Sequence, residues 1–286
     1  MEHKESGFLS LGPHGFHRIA YTQWGNGHNK RAVICAHGAT RNGRDFDDLA
    51  RDLSLDFRVA CPDLPGRGHS HWLINPDDYA LPVYIADMAA MIARVGGEQV
   101  DWIGTSLGGL IGMVLAAQPN SPINALVIND IGPFVPHEAL KPIAEYIGRD
   151  APFADFDALK SYLMNVHAPF GTLTDSQWDH LARHSGRQNE DGSWAQHYDP
   201  AIAANFKESA SEDIDLWHVW EGIHCPVLIL RGENSDVLPR AVAEEMLERG
   251  PAADLVEFPD VGHAPALMDE YQIDAVRHWL MAKGQD

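Results

Sequence analysis

Gly104-Thr105-Ser106-Leu107-Gly108 is a Gly-x-Ser-x-Gly pattern, set between an apolar run, 100–105, and a helix-forming run that begins at Leu107. A serine on so sharp a strand-to-helix turn is strained and exposed, and the residues two positions away on either side carry no side chain that would obstruct the turn. Such a hydroxyl is a candidate nucleophile for acyl transfer. Serine alone is a weak one; it needs a base within hydrogen-bond reach and an acid that orients the base.

With partners that follow the serine in the chain, the candidate base is His263, in Pro259-Asp260-Val261-Gly262-His263-Ala264-Pro265. It lies on a loop after the last strand-like segment, and strand ends are where ligands and catalytic groups gather in open α/β sheets. Asp236 and Glu233, in the loop after segment 226–231, and Asp130, at the end of segment 125–130, compete for the orienting role. Asp260 is too close in sequence to His263 to serve. Residue types and spacing leave the three carboxylates open.

Acyl transfer also needs donors for a developing oxyanion. The backbone N–H of Leu107 is one; the N–H of Ala39, in His37-Gly38-Ala39-Thr40, is the other. His37 is read as a brace for that loop and, alternatively, as a pocket residue. Cys61 to Ser70 is a compact Gly/Pro turn that shapes the floor of the site and lacks phosphate-binding spacing. With no HExxH, no GxGxxG and no metal-ligand spacing, neither metal nor cofactor is expected.

The elements that must position these groups alternate. Strand-like segments fall near 7–11, 16–24, 32–37, 57–62, 100–105, 125–130, 226–231 and 254–258, with amphipathic segments near 45–54, 83–95, 107–118, 240–249 and 270–283. Continuous apolar runs such as 32–36 suit a sheet covered on both faces, and the alternation implies a mostly parallel sheet flanked by helices. A Gly/Pro turn between the first two segments predicts an antiparallel hairpin at one edge. The rhythm breaks across residues 134–212, where helical pieces near 137–148, 155–166, 174–184 and 200–209 occur without a convincing strand. The expected organisation is a core from 1–133 and 213–286, with a helical lid at 134–212. In that lid Trp178, Trp194, His167, Phe170, Tyr162 and His197 are candidates to line a substrate pocket.

Among 286 residues, 21 basic and 41 acidic side chains give a net charge of −20. That balance repels nucleic acid and anionic membranes. The longest apolar stretch, 110–117, is far too short to span a bilayer, and the N-terminal residues lead into no apolar signal core. The three cysteines, Cys35, Cys61 and Cys225, form no CxxC pair; such sparse usage fits a reducing, cytoplasmic setting. The expected partner is a small-molecule ester, with no nucleic acid and no membrane, and a homodimer is left open.

Together the His37-Gly38 loop, the 62–70 turn, the Gly104–Gly108 elbow, Arg231-Gly232…Ser235-Asp236 and Gly262-His263 resemble the α/β-hydrolase superfamily in content and order, over about residues 7–283. The resemblance implies an α/β fold with an eight-stranded, mostly parallel sheet, helices on both faces and a helical cap inserted after the sixth strand. It implies Ser106 as nucleophile, Asp236 as acid and His263 as base. Within the superfamily the chain is most similar to small capped carboxylesterases; enol-lactonases, carbon–carbon bond hydrolases of ring-cleavage products and hydroxyalkanoate-oligomer hydrolases share the same motifs. A carboxylate-binding arginine facing Ser106 would point to the carbon–carbon hydrolases or lactonases, with Arg183 and Arg187 the candidates in the cap. A Ser106→Ala variant is expected to lose on the order of 10⁴-fold or more of its turnover on esters; near-full activity in a stopped assay would remove Ser106 from the chemistry.

Overall fold

A computed structural model describes residues 3–26, 28–95 and 99–283. The chain opens with β1 (Lys4–Gly12) and β2 (Gly15–Trp24), then β3 (Ala32–Ala36), α1 (Asp47–Leu53) and β4 (Arg58–Pro62). Next come α2 (Leu81–Val95), β5 (Val100–Thr105), α3 (Leu107–Ala116) and β6 (Ile123–Asn129). The chain then leaves the sheet through β7 (Phe134–Val135), α4 (His137–Tyr146), α5 (Phe156–Val166), α6 (Asp175–Ser185), β8 (Gly186–Gln188), β9 (Trp194–Gln196), α7 (Ile202–Ser209) and β10 (Ile214–Asp215). It returns through α8 (Trp217–Trp220), β11 (Val227–Gly232), α9 (Arg240–Glu248), β12 (Ala253–Phe258) and α10 (Glu270–Ala282).

Eight strands form one sheet in the order β1-β2-β4-β3-β5-β6-β11-β12. β2 runs antiparallel to both its neighbours and every other pairing is parallel. The period-two geometry of a strand sends alternate side chains to opposite faces, and the sequence is apolar at both phases. Ile34, Trp102, Leu126 and Ile229 enter the core on one face, with α2 and α3 residues such as Met88 and Ile111. Val33, Ile103, Val127 and Leu228 enter the core on the other, with Leu49 and Leu53 of α1 and Val276 and Leu280 of α10.

The excursion between β6 and β11 holds the four expected helices, but it also contains short strands that sequence reading did not anticipate. β7 pairs with β10 where the excursion leaves and re-enters, and β8 pairs with β9 as a small hairpin. Two- and three-residue strands are too short to develop a periodic signal. Among the described residues no helix is long and apolar enough to cross a membrane.

The connection after β3 runs to β4 on one side and the connection after β5 runs to β6 on the other, which makes the carboxyl ends of β3 and β5 the topological switch point where ligands bind in open α/β sheets. The loop after β3 is held there by His37. Its Nδ1–H donates to the Gly38 carbonyl at 2.7 Å, and its Nε2 accepts from the Leu64 N–H at 2.9 Å. This buried ring is a brace and does not line the large cavity, which corrects its reading as a pocket residue. Burial, with the Arg67 and Arg41 charges acting in the same direction, pushes its pKa down to about 3.

A histidine pKa held below its unfolded value of 6.5 adds stability that is complete above pH 6.5 and is lost as the pH falls toward 3. The stability lost in a His37→Asn variant should therefore shrink by about 2 kcal/mol between pH 7.5 and pH 5. Denaturant unfolding of both proteins at the two pH values measures it; an unchanged difference would contradict the brace being neutral.

Candidate active site

Ser106 sits between β5 and α3 with φ 52° and ψ −115°. This is a strained conformation for a residue with a side chain. The turn closes because its two glycines are in backbone contact: a Cβ on Gly104 would lie 2.2 Å from the Gly108 carbonyl oxygen, and one on Gly108 would lie 2.0 Å from that of Ala36. α3 is thereby pressed onto β5, where the Trp102 indole N–H donates to the Gly108 carbonyl at 3.0 Å. The Gly-xxx-Gly spacing thus serves helix-on-sheet packing.

His263 Nε2 lies 3.0 Å from the Ser106 Oγ, and its Nδ1 lies 2.8 Å from the Asp130 Oδ2. Asp130 is fully buried and sits at φ 57°, a left-handed conformation that short polar residues tolerate best. Its Oδ1 accepts the Gly232 N–H at 2.8 Å, and its Oδ2 also accepts the Ser235 hydroxyl at 2.6 Å. The His263 loop is tied down on both sides: Gly262 N–H donates to the Pro169 carbonyl at 2.7 Å, and the Asn129 side-chain amide donates to the Pro265 carbonyl at 2.8 Å. This hydrogen bonding sets the tautomer, with the proton on Nδ1 and Nε2 free to accept from the serine.

The partner of His263 is therefore Asp130 and not Asp236, the carboxylate expected from the family resemblance. β6 and β11 are neighbours, so carboxylates at their ends start about 5 Å apart. The loop after β11 does reach the histidine's partner, but it contributes donors, Gly232 N–H and Ser235 Oγ, while the next side chain, Asp236, is exposed on the cavity wall. Glu233 is also exposed, and its Oε2 accepts the Asp260 N–H at 3.3 Å.

Above Ser106 lies a cavity of about 660 Å³ between the sheet's carboxyl edge and the helical excursion, within the range of small-molecule sites. Ser106, His263, Ala39 and Leu107 open into it, and Leu110, Ile131, Leu140, Ile143 and Phe206 give it apolar walls. Among the described residues the backbone N–H groups of Ala39 and Leu107 have no hydrogen-bond acceptor. Such a pair could receive the oxygen of a carbonyl under attack.

Of the aromatic and histidine candidates in the excursion, His167 and Phe170 line the cavity. Their rings stack at 4.7 Å, and burial, then the Arg41 and His263 charges, holds His167 well below its ordinary pKa. Trp178 and Trp194 do not line it, which corrects both expectations: Trp178 packs with Leu181 and Met268, and Trp194 with Phe153 and Phe156. Tyr162 and His197 lie against Phe153 and His69 respectively. Aromatic residues in a helical layer must also build that layer's own core, and composition cannot separate the two uses. Arg183 lies over the Phe156 ring and Arg187 over the Trp72 ring, so neither faces Ser106. The arginines on the cavity are Arg41 and Arg67, from the loops after β3 and β4. Sequence reading passed over both. The turn containing Arg67 reads in sequence as a Gly/Pro turn, and nothing local marks its arginine as facing a cavity.

The fold also gathers Asp47, His180 and His184, with ligand atoms within 4.8 Å of one another, a grouping that sequence spacing did not reveal. Asp47 is already ion-paired to Arg44 at 2.5 Å, and His180 Nε2 donates to the Arg44 carbonyl at 2.9 Å. As placed, the set fastens α6 to the start of α1.

A family model described as alpha/beta hydrolase fold matches residues 31–269. A 3-hydroxybutyrate-oligomer hydrolase of Cupriavidus necator is 46% identical over 276 residues, covering 93% of this chain and 94% of that protein. A crystal structure of a Rickettsia typhi protein assigned as a hydrolase superposes with a TM-score of 0.91 at 32% identity, covering 99% of both chains. An alpha/beta hydrolase from Novosphingobium aromaticivorans superposes with a TM-score of 0.87 at 34% identity, again over 99% of both.

The geometry separates the two aspartates by experiment. Asp130→Asn should lower ester turnover by about 10³- to 10⁴-fold, because an amide facing Nδ1 favours the wrong tautomer, whereas Asp236→Asn should stay within several-fold of the parent. Steady-state kinetics on a p-nitrophenyl ester decide it; the reverse ranking would return the orienting role to Asp236.

Proposed function

Because this chain belongs to the α/β-hydrolase fold family and is an ester hydrolase, we propose that it cleaves the ester links of short 3-hydroxyalkanoate oligomers, with 3-hydroxybutyrate oligomers as the principal substrates. The observation that carries the reading is the 46% identity, across nearly the whole of both chains, to the Cupriavidus necator 3-hydroxybutyrate-oligomer hydrolase. The cavity supports it: apolar walls suit a chain of methyl-bearing ester units, and about 660 Å³ accommodates more than one unit.

In this mechanism His263 Nε2 takes the Ser106 proton as Oγ attacks the ester carbonyl. The N–H groups of Ala39 and Leu107 hold the oxyanion. Asp130 keeps the imidazole in its tautomer and stabilises the imidazolium, with its own charge supported by Gly232 and Ser235. The tetrahedral intermediate collapses by breaking the carbonyl carbon–oxygen bond, and the leaving alkoxide takes the proton from His263. Water, deprotonated by His263, then attacks the acyl-enzyme; collapse breaks the bond between the carbonyl carbon and Oγ, His263 returns its proton to Oγ, and the acid product leaves. Residues 134–212 act as the cap that excludes bulk water. Three unpaired cysteines favour a cytoplasmic setting.

The test is a substrate panel run with equal enzyme: 3-hydroxybutyrate dimer and trimer, p-nitrophenyl esters of increasing acyl length, lactones and ring-cleavage dienones. The oligomers should give the highest kcat/KM, by about tenfold or more over simple esters, and Ser106→Ala should abolish their cleavage. A lactone or dienone as the best substrate would transfer the assignment to that chemistry.

A further inference from the structure

Among the described residues three arginines are buried: Arg41, Arg67 and Arg231. Arg41 forms a two-point ion pair with Asp45, and Arg231 pairs with Glu257. Arg67, only 2% exposed, has no carboxylate within 4.0 Å among the described residues. A buried charge without a counter-charge is costly unless something supplies one. Two rings and three acceptors hold the guanidinium in place. It lies 5.8 Å from the Tyr79 ring centroid and 5.2 Å from that of Tyr84. Its Nε donates to the Ala39 carbonyl at 2.8 Å, and its Nη1 to the Pro65 carbonyl at 2.7 Å and the Tyr84 hydroxyl at 2.9 Å. The Nη2 donors have no acceptor among the described residues, and Arg67 lines the cavity that holds Ser106.

We propose that Arg67 binds the terminal carboxylate of the substrate on the leaving-group side of the scissile bond, so that the enzyme removes single hydroxyacids from the carboxyl end of an oligomer. The inference rests on the oligomer-hydrolase reading. In a chain of 3-hydroxyacid esters, two carbons separate the last ester oxygen from the free carboxylate. A cation that recognises this carboxylate must therefore lie close to the carbonyl being attacked, and Arg67 is anchored on the carbonyl of Ala39, the residue whose N–H faces the oxyanion. The remaining ionisable groups on the cavity wall, apart from the histidines and tyrosines, are Asp77, Glu208 and Asp236, all exposed. With a net charge of −20, the whole-protein field does not attract an anion. Recognition of a carboxylate has to be local, and a planar guanidinium with two free donors is suited to it.

The discriminating pair is 3-hydroxybutyrate dimer as the free acid and as its methyl ester, in which the same inner ester bond is cut. The parent enzyme should prefer the free acid by about 10- to 100-fold in kcat/KM, mainly through KM, as expected for a charged hydrogen bond. Arg67→Gln should bring the ratio toward one. Damage to the Ala39 loop would slow both substrates alike and leave the ratio standing, so the ratio reports carboxylate recognition and not loop integrity. A trimer labelled at its hydroxyl end should yield unlabelled monomer and labelled dimer first. A parent ratio near one, a ratio unchanged in Arg67→Gln, or labelled monomer as the first product would overturn the proposal while leaving the oligomer-hydrolase reading intact; failure to cleave either dimer would overturn both.

Discussion

The contact on which the site depends is a backbone approach with no room for a side chain. α3 starts so close to the ends of β3 and β5 that Gly108 lies against the Ala36 carbonyl and Gly104 against Gly108 itself. This approach puts Ser106 at a positive φ, turns its hydroxyl out of the sheet edge and brings the N–H of Leu107 beside the loop that carries Ala39. The strain at Ser106 is over-determined by its surroundings: its N–H is bonded to the Asn129 carbonyl, and its carbonyl accepts from Gly109 and Leu110.

A second constraint governs the buried charges. Asp130 carries its carboxylate where water does not reach, and it is satisfied by donors from two loops that are distant in sequence. The loop after β11 thus supports the acid without supplying it. Arg67 is the opposite case: its donors are partly used and no carboxylate lies within 4.0 Å of it among the described residues. One group is complete within the protein and holds the imidazole; the other leaves hydrogen-bonding capacity at the cavity.

Much of this was legible in the residues. The Gly104–Gly108 spacing, the apolar runs of β3 and β11 and the Gly/Pro framing of His263 are local signals. A serine and histidine 157 positions apart meet because both follow parallel strands whose carboxyl ends share one edge of the sheet. The helices of the excursion were legible for the same reason, since amphipathic periodicity is a local property. The short strands β7 to β10 were not, because two or three residues carry no period.

What the sequence by itself determined is the arrangement: a serine on a strand-to-helix elbow, a histidine at a strand end and an order of elements that brings them to one edge. What only the tertiary structure decided is which carboxylate and which pocket residues complete it. Asp130 and Asp236 follow adjacent strands, and nothing in their local sequence says which will be buried with three donors around it and which will turn toward solvent. Trp178 and Trp194 look like pocket residues in composition and pack into the excursion's own core, while Arg67, embedded in a turn, faces the cavity. Burial and counter-charge are sums over neighbours from distant parts of the chain, and those neighbours exist only once the sheet and the helices above it have assembled.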